Sequence, residues 1–186
     1  MKEKLLDAAE SLVQSRGLNA VTFQDIADAV GLRKPSVFHH IRNKEELVDA
    51  LIDRCSTKHG PQYMEIVEKD TSAPEKLRQV AKVFETGLKQ DRPCLLASLG
   101  GAADALTPTA LAKLKQAAEA ATGRFAMIFI QGRKEETLDF EGTPENAALA
   151  FFAMMQGLQT LCRVKGDTRA FKRAAAAYID SIVVKH

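Results

Sequence analysis

Arg33, Lys34 and Lys44, with His39 and His40 between them, crowd cationic and hydrogen-bonding side chains into one short stretch, and no carboxylate lies between Asp28 and Glu45. Residue types in that pattern suit one chemistry, the gripping of an acidic polymer. Guanidinium and ammonium groups meet phosphate, and Ser36 or an imidazole can bond to phosphate or to a base edge. Other residues with chemical reach are few. Cys94 follows Arg92-Pro93 at a helix start, where a cation and the helix dipole favour thiolate, although the flanking Leu95 and Leu96 suit an inert buried cysteine. Cys55 and His59 stand four apart but are only two ligands, and adjacent His39 and His40 point about 100° apart on a helix. No metal is expected. No nucleophile elbow, P-loop, Rossmann glycine pattern or helical carboxylate–histidine pairing is present, so neither catalytic residues nor a cofactor are expected.

The elements that position the basic stretch are legible one residue at a time. Thr22 stands where it can cap a helix, with Asp25 three residues on. Ile26, Ala27 and Val30 form a buried helical stripe, and Gly31 suits the left-handed turn that stops it. Leu32 tucks under the turn, and Pro35 opens a second helix at the position where a missing N–H costs nothing. On that helix Val37 and Ile41 share the core face, which leaves Ser36, Phe38, His39 and His40 pointing elsewhere. Asn43 and Glu46 cap a further helix from Lys44. A basic turn alone is an ordinary solvated surface. Combined with caps, glycine, proline and charge asymmetry it reads as a helix-turn-helix.

The segment LLDAAESLVQSRGLNAVTFQDIADAVGLRKPSVFHHIRNKEELVDAL, Leu5 to Leu51, resembles the DNA-binding domain of the TetR/AcrR family of bacterial one-component regulators. The resemblance implies that Thr22 and Gln24 approach the DNA backbone, and that Arg33, Lys34, Pro35 and Ser36 meet bases or phosphates. It places His40 and Lys44 at phosphate-gripping positions. Phe38 falls where the family usually has tyrosine, which removes a phenolic hydrogen bond while leaving a ring able to touch a thymine methyl.

Composition sets the frame around this motif. The 186 residues suffice for one large core or two modest helical domains. A net charge of only +2 means that any nucleic-acid affinity must come from the local patch. Three widely spaced cysteines, Cys55, Cys94 and Cys162, make no disulfide framework and fit a reducing cytoplasm, a bacterial one by the resemblance. The N-terminus is charged and amphipathic, unlike a signal peptide, and no membrane-spanning apolar run is expected. Absent Trp, scarce β-branched alternation and abundant Ala, Leu, Lys and Glu predict an all-α fold. We expect an N-terminal three-helix helix-turn-helix domain over 1–50 and a C-terminal helical effector-binding and dimerisation domain over 51–186.

In the second region, Gly60-Pro61 should break or kink the fourth helix, and helices are expected over Pro74–Gln90, Thr109–Ile130, Pro144–Val164 and Asp167–Val184. RFAMIFI, apolar nearly all round, should be buried, and 131–146 should be a loop. Phe151, Phe152, Met155, Leu158 and Leu161 put apolar groups on more than one face of the 144–164 helix, and Tyr178, Ile179 and Ile182 can join a contact there. The resemblance implies a homodimer through the 144–164 and 167–184 helices. Phe84, Leu88, Cys94, Leu95, Leu99, Phe125, Phe129 and Met155 are candidates for an apolar effector pocket, and each also suits ordinary core. RPCLL resembles a segment in family branches that sense electrophiles or oxidants through a cysteine. The expected function is a repressor that binds a palindromic operator and is released by a small molecule, the alternative being a thiol sensor using Cys94. A helical-bundle enzyme or carrier would show sequence-independent or no DNA binding, and an architectural DNA-binding protein would not respond to ligand.

Overall fold

The computed structural model describes residues 1–185. Ten α-helices follow one another: α1 (Lys2–Arg16), α2 (Phe23–Ala29), α3 (Lys34–Phe38), α4 (Lys44–Arg54), α5 (Gly60–Glu68), α6 (Ala73–Lys89), α7 (Leu95–Gly100), α8 (Pro108–Lys134), α9 (Pro144–Lys165) and α10 (Thr168–Ile182). No strand occurs among the described residues; extended pairing is confined to one antiparallel bridge, Leu138 with Val183. The all-α expectation is met.

The chain folds into two units. The first takes Met1–Lys58 together with Asp91–Ala118; the second takes His59–Gln90 and the chain from Glu119 onward. A sequence boundary at residue 50 cuts the chain once, whereas the folded chain returns to the first unit with α7 and the start of α8. Leu95, Leu99, Ala110, Leu114 and Ala117 supply the reason, because they complete the same buried cluster as Leu5, Ile26, Val37 and Leu51.

Within the first unit, α1 packs on α2, α4 and α7. The expected stripes are buried, with Leu5, Ala9, Val13, Ile26, Ala27, Val37, Ile41 and Leu51 all fully enclosed. In the second unit α6 packs against α5, α9 and α10, and its expected face of Leu77, Val80, Ala81, Phe84 and Leu88 is buried.

The interruption expected at Gly60-Pro61 takes the form of a π-helical stretch at Cys55–His59, which joins α4 to α5, and its wider i→i+5 bonding suits a site where Pro61 offers no N–H. Two other local expectations are corrected. Helix α8 runs through Gly132 to Lys134, because Gly132 lies under Leu138 rather than ending the helix. RFAMIFI is not buried throughout, since Met127 and Ile130 are about half exposed while Phe125, Ile128 and Phe129 are enclosed. Helix α9, at 22 residues and a mean hydropathy of 1.2, matches a membrane crossing by length and composition only. Its Phe151, Phe152 and Met155 lie in the core of the second unit, which accounts for that apolarity.

Candidate functional site

Helix α2 begins with the reciprocal cap read from the sequence. Asp25 N–H donates to Thr22 Oγ1 at 3.2 Å, and Thr22 N–H donates to Asp25 Oδ2 at 2.8 Å. The Thr22 hydroxyl, its main-chain N–H and Arg16 hold the Asp25 carboxyl below the usual carboxylate range. At the other end Gly31 takes φ +69°, Leu32 N–H returns to Ala27 O at 2.9 Å, and Gly31 N–H bonds Asp28 O at 3.2 Å. That pair of bonds fixes the turn and therefore the angle at which α3 leaves it.

Helix α3 starts at Lys34, with Pro35 in its first turn and Arg33 as its N-cap. Val37 and Ile41 are fully buried and anchor it, while Arg33, Lys34, Pro35, Phe38, His39 and Lys44 are exposed and Ser36 and His40 half-buried. Thr22 and Gln24 of the preceding helix are exposed as well. The sequence-predicted contact residues thus reach solvent around one turn and its flanking helices.

Electrostatics sharpen the patch. Asp25 is engaged by Thr22 and Arg16, Asp28 accepts from Gln24 Nε2 at 2.7 Å, and Glu46 accepts from Arg42 N–H at 2.9 Å and from Lys2 at 3.3 Å. No ion pair engages Arg33, Lys34 or Lys44 among the described residues. Asp25, Asp28 and Glu46 are occupied whereas Arg33, Lys34 and Lys44 are not, so the patch presents positive charge outward.

Two residues here escaped the sequence reading. Phe23 stacks on Phe38, with ring centroids 4.8 Å apart and planes 26° apart, so the ring that replaces the usual tyrosine is half spent on packing. Arg54 of α4 is buried and bonds Glu3, Asp7 and Glu10 of α1. The spacing of Glu3, Asp7 and Glu10 along one face of α1 was the available signal.

The candidate effector residues divide between the two units. Leu95 and Leu99 belong to the buried cluster of the first unit. Cys94 caps α7 in that unit and is half-buried. Burial, then the nearness of Cys94, push the Cys55 thiol up to about 12. In the second unit Phe84, Leu88, Phe125, Phe129 and Met155 are all buried. Phe84 and Phe125 meet through Phe152, at 6.0 and 5.2 Å between centroids, and Tyr63 joins them at 6.0 and 5.2 Å. Tyr63 went unnoticed because its α5 neighbours give no periodic aromatic pattern.

Of the surface expected to pair two copies, Leu161 is exposed, along with Leu149 and Val164 at 55% and 83%. Ile179 is instead buried at 1%, and Tyr178 stacks on Phe151, so both serve the unit's own core.

Residues 5–51 match the family model described as bacterial regulatory proteins, tetR family, and residues 73–178 match a tetracyclin repressor-like C-terminal domain. Among curated relatives, the HTH-type transcriptional repressor KstR2 of Mycolicibacterium smegmatis is 34% identical over 76 residues, covering 41% of this chain and 37% of that protein. The class D tetracycline repressor of Escherichia coli is 31% identical over 58 residues, 31% of this chain and 27% of that one. These matches span between about a quarter and two fifths of the relatives' own length. Among solved structures, a TetR-family transcriptional regulator from Agrobacterium tumefaciens superposes with TM-score 0.91 at 22% identity, covering 98% of this chain and 97% of that one. The reduced form of E. coli NemR superposes at 0.80 with 19% identity, covering 99% and 97%. At these identities the structural likeness concerns the fold.

Proposed function

The chain belongs to the tetR family of bacterial regulatory proteins, and from that premise we propose that it is a ligand-responsive repressor acting as a homodimer on a near-palindromic operator in the bacterial cytoplasm. One observation carries the reading: α3 is anchored by buried Val37 and Ile41 and turns unpaired Arg33 and Lys34 outward. Two such helices enter successive major grooves about one helical turn, roughly 34 Å, apart. Phosphate contacts from Lys44, His40, Thr22 and Gln24 set affinity, whereas Arg33, Lys34, Pro35 and Ser36, with Phe38 and His39 beside them, select sequence.

The second copy docks on α9. Leu149, Ala153, Gly157 and Leu161 recur every fourth residue and are exposed, with Val164 continuing the face. Small residues at its middle let a partner helix approach closely, and the surrounding leucines supply apolar area. An effector that binds the second unit differently in the two states of the dimer then weakens the operator complex. A coupling of about 1–3 kcal/mol corresponds to roughly 5–150-fold.

The test is selection of bound sequences from random DNA. A near-palindrome whose half-sites lie one helical turn apart is expected; enrichment of a single half-site, or none, overturns the dimeric operator reading. Thiol control through Cys94 is a second reading, favoured by the neighbouring thiol of Cys55. An oxidant that releases operator from the wild type and from Cys94→Ser alike removes it.

A further inference from the structure

The guanidinium of Arg124 lies over Gly60. A Cβ on Gly60 would stand 2.9 Å from Arg124 Nη2 and 3.2 Å from its Cζ, so only glycine leaves room for the group. Arg124 is half-buried, and no described residue hydrogen-bonds to it or pairs with its charge. No fully buried side-chain nitrogen among the described residues lacks a partner, so the unbonded nitrogens of Arg124 must reach solvent. A planar, permanently charged fork without a counter-charge has its donors available for a carboxylate.

The apolar surroundings lie on the same helices. Tyr63 follows Gly60 by three residues, and residues at that spacing are neighbours on a helix face. The Tyr63 ring meets Phe125, the residue after Arg124, edge-on at 5.2 Å, and Phe84 at 6.0 Å. Phe84 and Phe125 are closed off, whereas Tyr63 is half-buried and forms the edge of the cluster.

We infer that Arg124, Gly60 and Tyr63 form an effector site for an organic anion, a carboxylate carried on a flat apolar body. The carboxylate takes the Arg124 fork, and the ring system lies along Tyr63. The inference rests on the ligand-responsive reading of the second unit and names the chemical class of its ligand. Neutral molecules of the same shape lack the group that Arg124 selects.

The experiment uses 2-naphthoate and its uncharged amide, 2-naphthamide, on the full chain, read by thermal unfolding and, separately, by release of operator DNA. Naphthoate should raise the unfolding midpoint and naphthamide should not. Arg124→Gln should weaken naphthoate binding by roughly 10–100-fold, the size of a lost charge-assisted bond, each variant being compared with its own ligand-free midpoint. Gly60→Ala, which occupies the place of the guanidinium while favouring helix, should abolish the preference for the acid without lowering the ligand-free midpoint. Equal shifts from acid and amide, no shift from either, or an unchanged shift in Arg124→Gln overturns the site. Absence of operator binding with the naphthoate shift intact would instead overturn the repressor reading and leave the anion site standing.

Discussion

Arg54 Nε donates to Glu10 Oε2 at 2.6 Å, and both side chains are only 7% exposed. Glu3 and Asp7 take the remaining guanidinium nitrogens, and Lys58 bonds Asp7 at 2.8 Å and Glu10 at 3.2 Å. Burial works against the charge on Arg54, yet the bonds from Glu10 and Asp7 hold its pKa up. The cluster fastens α4 to α1, and α4 directly follows the helix-turn-helix, so it fixes the frame in which α3 is presented.

Removing Arg54 takes from the buried Glu10 carboxylate its bond to a buried guanidinium. Arg54→Ala should destabilise the chain by about 3 kcal/mol, the lower end for breaking a buried pair, measured by urea unfolding. Replacing both partners, as Arg54→Met with Glu10→Leu, should recover much of that loss. A double variant as unstable as the single would show that the pair itself, rather than the loss of the guanidinium from a buried carboxylate, supplies the stability.

Lys44 opens α4 and is exposed without an ion partner among the described residues. Lys44→Ala should weaken binding to all DNA sequences alike and reduce the slope of log K against log salt by about one per copy, about two for the dimer. An unchanged slope removes Lys44 from the phosphate contacts.

Phe38 is 39% exposed and stacked on Phe23. Phe38→Tyr adds a hydroxyl at the rim of that stack without disturbing it, so operator affinity should rise by up to about tenfold for each half-site, the value of one added hydrogen bond. Phe38→Ala should cost about 0.5–1.5 kcal/mol of stability from the lost stack in addition to its burial. If Tyr binds operator no better than Phe, the ring edge does not face phosphate.

The helix-turn-helix was legible because its signals act over a few residues: Thr22 with Asp25, Gly31 after Val30, Asn43 with Glu46. What escaped depends on contacts made outside the helix that a residue belongs to. Gly132 reads as a breaker until Leu138 is known to lie on it, and Phe38 reads as a free aromatic until Phe23 stacks beneath it. Periodicity separated apolar from polar faces without telling which apolar face stays uncovered, and so Met127 and Ile130 were expected inside. The effector candidates were chosen by apolarity, which marks core and pocket alike, and the chain sends Leu95 and Leu99 to a different unit from Phe84.

Cys55, with its thiol pushed up to about 12 by burial and by Cys94, should resist alkylation. At pH 8 only roughly one molecule in ten thousand then carries the thiolate that reacts. Iodoacetamide followed by mass spectrometry should label Cys55 slowly in the folded chain and quickly in urea. The sign for stability follows from the raised pKa: the contribution is whole below about pH 9, and it declines as pH rises towards 12, because the unfolded chain ionises first. Equal labelling of the folded and unfolded chain would contradict the burial.

Gly132 sits on α8 beneath Leu138, where an added Cβ would lie 2.3 Å from Leu138 Cδ1 and 2.9 Å from its Cβ. The chain turns back at this point, with Thr137 N–H and Leu138 N–H both directed at Gly132 O, at 2.9 and 3.1 Å, and Leu138 is 4% exposed. In an open helix, alanine in place of glycine adds up to about 1 kcal/mol. Here the overlap involves the root of a buried side chain on a residue whose main chain is also bridged to Val183, so relief requires moving the turn. Gly132→Ala should therefore lower stability by about 1–3 kcal/mol net, as overpacking does. Leu138→Ala alone opens a cavity at a cost of about 2–5 kcal/mol. The double variant should cost less than the sum of the two singles, because the new methyl fills part of that cavity. Thermal or urea unfolding of the four chains measures the coupling, and strict additivity would mean that Gly132 and Leu138 do not share this space.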